Sequence, residues 1–153
     1  MLNRKTKYAI QALLNLADHS GLEPRAVSEL AEQEAIPRKF LEVILLELKN
    51  GGILQSRKGK SGGYVLSRPP QEITLGEVVR LMEGPLAPVP CVSHTAYRKC
   101  DECRDERTCG IRLVMKDVRD AIAGILDSTS LADVQQRASE AVEERDEVPM
   151  YYI

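Results

Sequence analysis

The sequence predicts a mainly α-helical fold with a small β wing: a winged helix-turn-helix domain followed by a long dimerisation helix. Three observations carry that expectation. Residues 26–68 read in order as a helix, a tight turn, a second helix and a short basic hairpin. A later stretch repeats apolar residues at three- and four-residue spacing for about five turns, well after the first unit has closed. Charge is also unevenly shared: residues 1–70 carry 11 Lys and Arg against 7 Asp and Glu, residues 71–153 carry 10 against 16. A basic front half joined to an acidic back half fits a nucleic-acid module attached to something else.

Residues 4–18 predict the first helix, with Ile10, Leu13, Leu14 and Ala17 on one face and Arg4, Lys5 and Lys7 at its start. This opening resembles a signal peptide at a glance, but Gln11 and Asn15 interrupt the apolar run and no cleavage site follows. No run approaches the roughly 18 apolar residues of a membrane span, so a cytoplasmic protein is expected. The loop Ser20-Gly21-Leu22-Glu23-Pro24 leads to a second helix with Val27, Leu30 and Ala31 facing inward. Ala35-Ile36-Pro37 breaks it, with Pro37 expected as the first residue of the third helix, where its missing N–H costs nothing. There Phe40, Leu41, Ile44, Leu45 and Leu48 make one apolar face, and Arg38, Lys39 and Glu42 stay exposed at the start. Asn50-Gly51-Gly52 stops it.

Ile53-Leu54 and Tyr64-Val65-Leu66 then read as strands flanking a loop with Arg57, Lys58 and Lys60, which ends Ser61-Gly62-Gly63. Cations on a flexible hairpin tip suit phosphates or a narrow minor groove. Lysines on a helical domain are usually just solvated. Here they cluster on the two elements that would meet double-stranded DNA. Thr74-Leu75-Gly76-Glu77 is a capping box that opens a short helix to about Glu83, and Gly84-Pro85 ends it.

All four cysteines follow within 19 residues, at 91, 100, 103 and 109. In a reducing compartment this density points to a metal or a redox role rather than a structural disulfide. Thiolates suit an iron–sulfur cluster or zinc, and neighbouring Arg98, Lys99, Arg104 and Arg107 would favour the ionised thiol. His94 is a further candidate ligand. Cys100 and Cys103 form C-x-x-C without the βαβ context of a thioredoxin, and no activated nucleophile or acid–base pair is visible, so no enzyme is expected. Ile111, Val114, Met115, Val118, Ala121, Ile122 and Ile125 then stripe the long helix, expected to pair with its copy in a homodimer. Ser130-Leu131-Ala132-Asp133 caps a last helix, and Val148-Pro149-Met150-Tyr151-Tyr152-Ile153 closes the chain with an apolar tail that could dock on a partner. The expected divisions are 1–84 (winged helix-turn-helix), 85–110 (cysteine-rich sensor loop), 111–147 (dimerisation and C-terminal helices) and 148–153 (tail).

Taken together, KTKYAIQALLNLA, IPRKFLEVILLELKNGGIL, SRKGKSGGYVL, ITLGEVVRLMEGP and STSLADV resemble the winged-helix regulators that include the iron–sulfur repressor IscR and the cysteine-metabolism repressor CymR. The resemblance runs nearly end to end. It implies a homodimer that binds a palindromic operator and represses transcription, with Arg38, Lys39 and Glu42 reading bases and Lys58 as a wing cation. IscR-like members hold a 2Fe–2S cluster through three cysteines and one further ligand. Cys91, Cys103 and Cys109 fall in the matching loop, but Cys100 is an extra thiol and Arg112 stands where IscR offers a histidine. The fourth ligand is then Cys100 first, His94 second, with zinc as the alternative occupant. CymR-like members lack those cysteines but share EGPLAPV and the terminal MYYI. That branch pairs with the enzyme O-acetylserine thiol-lyase, whose partners insert a terminal isoleucine carboxylate, so Tyr151, Tyr152 and Ile153 are candidate partner-binding residues. The implied genes belong to sulfur, cysteine or iron–sulfur metabolism; the alternative is a zinc-stabilised or metal-free adaptor controlled by that enzyme.

Overall fold

The computed structural model describes residues 2–18 and 23–147. Among these, α1 (Arg4–Asp18), α2 (Val27–Gln33) and α3 (Arg38–Asn50) precede an antiparallel hairpin of β1 (Leu54–Arg57) and β2 (Gly63–Leu66). Then come α4 (Leu75–Glu83), α5 (Gly110–Asp127) and α6 (Leu131–Glu147), with single 3-10 turns at Pro70–Glu72 and Pro90–Val92. The fold is mainly α with a small β wing, as the sequence predicts.

The helix-turn-helix forms because the apolar face of α3 has one place to go. Leu41, Ile44, Leu45 and Leu48 are fully buried against Leu13 of α1, Leu30 of α2 and Val78 of α4. Burying one such side chain favours folding by about 2 kcal/mol. Phe40 departs from the expected face: it is 37% exposed and meets Tyr8 of α1 edge to face at 5.8 Å. The turn between α2 and α3 puts Ala35 at φ 53°, a left-handed conformation, so that the Ile36 N–H can reach the Ala31 carbonyl at 3.0 Å. Pro37 is the N-cap of α3 rather than its first helical residue. At the other end Gly52, with φ 80°, supplies the left-handed residue that turns the chain into β1.

In the wing Leu54 pairs with Leu66 and Arg57 with Gly63, so Arg57 ends a strand instead of lying in the loop. A backbone bridge from Arg25 to Tyr64 ties β2 to the segment before α2 (N···O 3.0 and 2.9 Å). Gly63 lies so close that a Cβ there would overlap the Arg25 carbonyl.

Two caps form where the sequence places them, the first as half a box because the Glu77 carboxylate is engaged by Arg68. The Thr74 hydroxyl accepts from the Glu77 N–H at 3.2 Å. Ser130 and Asp133 form a complete capping box, Ser130 Oγ accepting from the Asp133 N–H and Asp133 Oδ2 from the Ser130 N–H at 3.1 and 2.8 Å. Leu131, the first residue of α6, is fully buried in the same core as α1 and α3. Two backbone bonds flank it: Leu75 N–H to the Thr129 carbonyl (2.8 Å) and Leu131 N–H to the Ile73 carbonyl (2.9 Å).

The long helix α5 is different. Its one buried residue is Arg119, while Ile111, Val114 and Ile125 are 70%, 57% and 62% exposed. No described helix is long and apolar enough to cross a membrane.

Candidate functional site

The basic surface comes from the start of α3 and the wing. Arg38, Lys39, Glu42, Arg57, Lys58 and Lys60 are all exposed. Arg38 Nε donates to Glu42 Oε1 at 3.1 Å, an i,i+4 pair along the helix. Arg57, Lys58 and Lys60 have no ion-pair partner among the described residues, which leaves the wing cations available to an external anion. Lys5, at the basic start of α1, is instead engaged with Glu47 of α3. The surface is cationic at the hairpin and mixed on the helix.

The cysteine segment leaves α4 through an extended stretch and returns to become α5. Cys91 sits in the 3-10 turn Pro90–Val92, where Val92 is buried and anchors the start of the loop. The Cys103 N–H donates to the Cys100 carbonyl at 3.1 Å, closing the C-x-x-C into a tight turn. Cys109 is the N-cap of α5. Tyr97 donates its hydroxyl to Glu106, drawing the two limbs of the loop together, and this bond raises the phenol above its ordinary range. As a result all four cysteines line one cavity of about 490 Å³, together with Arg98, Lys99, Asp101, Glu102 and Arg112. Cys100 is exposed and the other three are half-buried.

At Cys103 the electrostatics run against one expectation. Arg98, Lys99, Arg104 and Arg107 were to favour ionised thiols, yet Cys103 is pushed up, first by desolvation and then by the neighbouring Cys109 and Cys100. Packing thiols together opposes adding negative charge at Cys103, while one of the cations, Arg107, is turned toward Asp105 at 3.4 Å. Four thiols around one cavity are a suitable donor set for a thiophilic iron–sulfur group. Among the described residues, no three of the His, Cys, Asp or Glu side chains are close enough to hold one metal ion as they stand. His94 lines a separate, smaller cavity with Arg80 and Arg119. Tyr151, Tyr152 and Ile153 lie outside the described residues.

Sequence reasoning missed a set of arginines. Arg112 Nε donates to the Cys91 carbonyl at 3.3 Å, and Arg119 donates to the Val92 carbonyl and to Asp120. At the far end of α5 Asp127 takes a two-pronged bond from Arg80 of α4, at 2.5 and 2.8 Å. Gly76 permits this: a Cβ there would overlap the Asp127 carboxylate. The only one-dimensional signal was the seven-residue spacing of Arg112 and Arg119, which puts both on one side of the helix, off the apolar stripe.

With this geometry in place, the likenesses to known proteins are informative. A family model described as Rrf2, an iron-dependent transcriptional regulator, matches residues 2–137. The chain belongs to the Rrf2 family. An rrf2-like HTH-type transcriptional regulator of Rhodobacter capsulatus is 42% identical over 137 residues, 88% of this chain and 91% of that one. CymR of Bacillus subtilis is 32% identical over 133 residues, covering 87% and 88%. The solved structure of that protein, the global cysteine regulator, superposes with a TM-score of 0.73 over 90% of this chain and 97% of its own, at 28% identity. T. potens IscR superposes at 0.72 over 99% and 96%, also at 28% identity. The Rrf2 winged helix therefore makes this chain a DNA-binding transcriptional regulator. Its relatives are regulators, not enzymes.

Proposed function

We propose that this Rrf2 chain is a homodimeric repressor of sulfur, cysteine or iron–sulfur metabolism genes that senses through its four-cysteine loop. The observation that carries the reading is the placement of the loop. Cys91, Cys100, Cys103 and Cys109 surround one cavity at the start of α5, and α5 both carries an unpartnered apolar stripe and is bonded to α4.

Dimerisation through Ile111, Val114, Val118, Ile122 and Ile125 would bury this stripe and set two winged helices side by side, matching a palindromic operator. In each copy Arg38, Lys39 and Glu42 would face the major groove, while Arg57, Lys58 and Lys60 contact phosphates or the minor groove. Arg38 must leave Glu42 to do so, a small cost because an exposed i,i+4 pair contributes only about 0.3–0.5 kcal/mol.

The cavity suits a 2Fe–2S cluster with Cys91, Cys103 and Cys109 as ligands and Cys100 as the fourth. Such a group supplies a redox- and loss-sensitive charge. The protein's own contribution is to hold the thiols around one space and to link that space to α5. A cluster changes DNA affinity only if it binds the DNA-competent and incompetent dimers unequally.

The test is anaerobic purification with an absorption spectrum, assays of iron, sulfide and zinc, and DNA binding before and after the cluster is removed. Brown protein with iron and acid-labile sulfide, whose affinity for one palindrome shifts on cluster loss, supports the sensor. About one zinc per chain makes the loop structural. Metal-free protein that still binds O-acetylserine thiol-lyase, and loses it on deletion of Tyr151–Ile153, favours the adaptor. Alanine at Lys58 should lower DNA affinity for all sequences alike and reduce the salt slope by about one phosphate contact.

A further inference from the structure

Between the cysteine cavity and the winged-helix unit lies α5, bonded to the Cys91–Val92 turn near one end and to α4 at the other. At each of these two joints the side-chain bonds come from arginine. At the first joint two successive carbonyls, those of Cys91 and Val92, are held by Arg112 and Arg119, one from each of two successive pairs of turns of the helix. These carbonyls belong to a single 3-10 turn, so no continuing helix uses them.

Arg119 is an unusual residue to find in this place. It is 8% exposed on a helix whose large apolar residues are mostly in the open. Burying a guanidinium is costly unless its donors are used, and they are: one goes to the Val92 carbonyl and two to Asp120. Val92 is itself 3% exposed, so the turn is held by an apolar anchor and a charged hydrogen bond at once. At the second joint Asp127 is bonded to Arg80 across the gap that Gly76 leaves, and the Leu75 and Leu131 amides close the backbone around it.

We infer that Arg119, assisted by Arg112, is a positioning residue that locks the Cys91 end of the sensor loop to α5, so that a change at Cys91 reaches the contact between α5 and α4. The inference rests on the reading of the cysteine loop as the sensor. It assigns the coupling to the carbonyls of Cys91 and Val92, and neither arginine needs to touch whatever the thiols bind. α5 moves as a rigid lever between its two joints, and without Arg119 the loop changes state with the lever left behind.

The full chain can test this without DNA and without metal. In a Cys100→Ser, Cys103→Ser, Cys109→Ser background, Cys91 is alkylated with N-ethylmaleimide, and amide hydrogen exchange is followed by NMR. The Leu75 and Leu131 amides report the far joint; the amides of Val92 and Ser93 report the near one. Alkylation should change exchange at Leu75 and Leu131 by roughly fivefold or more, the low end of ordinary coupling between sites. In Arg119→Met the near joint still responds while the far response falls to within twofold of none. Arg112→Met should weaken it by a smaller factor, and serves as the probe if Arg119→Met fails to fold. A residue that only stabilises α5 would shift basal exchange and leave the alkylation response intact. An undiminished response in both arginine variants, or none at Leu75 and Leu131 in the parent, overturns the inference. Failure of the regulator reading itself would show separately, as absent DNA binding by the unmodified protein.

Discussion

The winged-helix half and the long helix α5 are built by opposite rules. In the first, Leu13 and Leu16 of α1, Leu30 of α2, Leu41, Ile44, Leu45 and Leu48 of α3 and Val78 of α4 vanish into one core, and the buried Arg25 lies outside that cluster, at the bridge to the wing. In α5 the aliphatic residues face outward and an arginine is what lies buried. The first arrangement is stable within a single chain. The second leaves an apolar stripe without a cover in the chain and uses polar bonds to hold the helix in place, which suits the proposed pairing with a second copy.

The comparison is broken most severely at the core. Leu45→Ala should destabilise the fold by about 2–5 kcal/mol, whereas Ile125→Ala should change intrachain stability by less than about 0.5 kcal/mol. Chemical denaturation reads both, and sedimentation should show the second variant losing dimer instead. A large stability loss from Ile125→Ala at concentrations where the chain is monomeric would mean that α5 folds back on its own domain.

Next in size is the wing. Gly63→Ala forces a Cβ into the Arg25 carbonyl and should cost about 1–3 kcal/mol, with the hairpin amides losing protection before those of α3. Ser130→Ala removes the cap of α6 and should cost about 1 kcal/mol. Equal stability of that variant would show that Leu131 alone seats the helix.

The smallest effect is electrostatic. Asp127 is held below its ordinary range chiefly by the hydrogen bond from Arg80, as are Asp133 by Ser130 and Glu83 by Thr6 and Asn3. A carboxyl lowered in the folded state stabilises fully above its unfolded pKa and loses this as pH falls through the folded value. Stability should therefore decline below about pH 4, and Asp127→Asn should flatten that part of the profile. The groups are exposed, so the change is modest and shrinks with salt. A thermal denaturation series from pH 3 to 7 distinguishes the two profiles. Asp127 and Glu83 sit at joints between helices and Asp133 at the cap of α6, so acid should loosen helix ends and joints before it disturbs what the helices bury.

The helix-turn-helix was legible in the sequence because periodic burial leaves a periodic pattern: Leu41, Ile44, Leu45 and Leu48 announce the face of α3, and Thr74 and Ser130 announce their caps. The small misplacements lie at element ends: Pro37 is off by one residue as a cap, and the first strand runs three residues past its expected end at Leu54, to Arg57. What the pattern could not carry was long-range polar pairing. Nothing near Asp127 in the chain names Arg80, and nothing near Val92 names Arg119. Cys103 departs for a related reason: Arg104 and Arg107 are near it along the chain, but its thiol is raised by burial and by Cys109 and Cys100, which are near in space. The cysteine cluster was legible as a cluster, while its gathering around one cavity depends on the Tyr97–Glu106 bond and the turn at Cys100.

Leu131 has a consequence for the order in which the protein is made. It completes the core of α1 and α3, yet more than a hundred residues separate it from Leu13. A ribosome adding residues at about 5–20 per second exposes α1 to α4 several seconds before Leu131 emerges. During that interval the nascent winged helix lacks one wall of its interior. Its final closure waits for the cysteine loop and all of α5 to pass out of the exit tunnel.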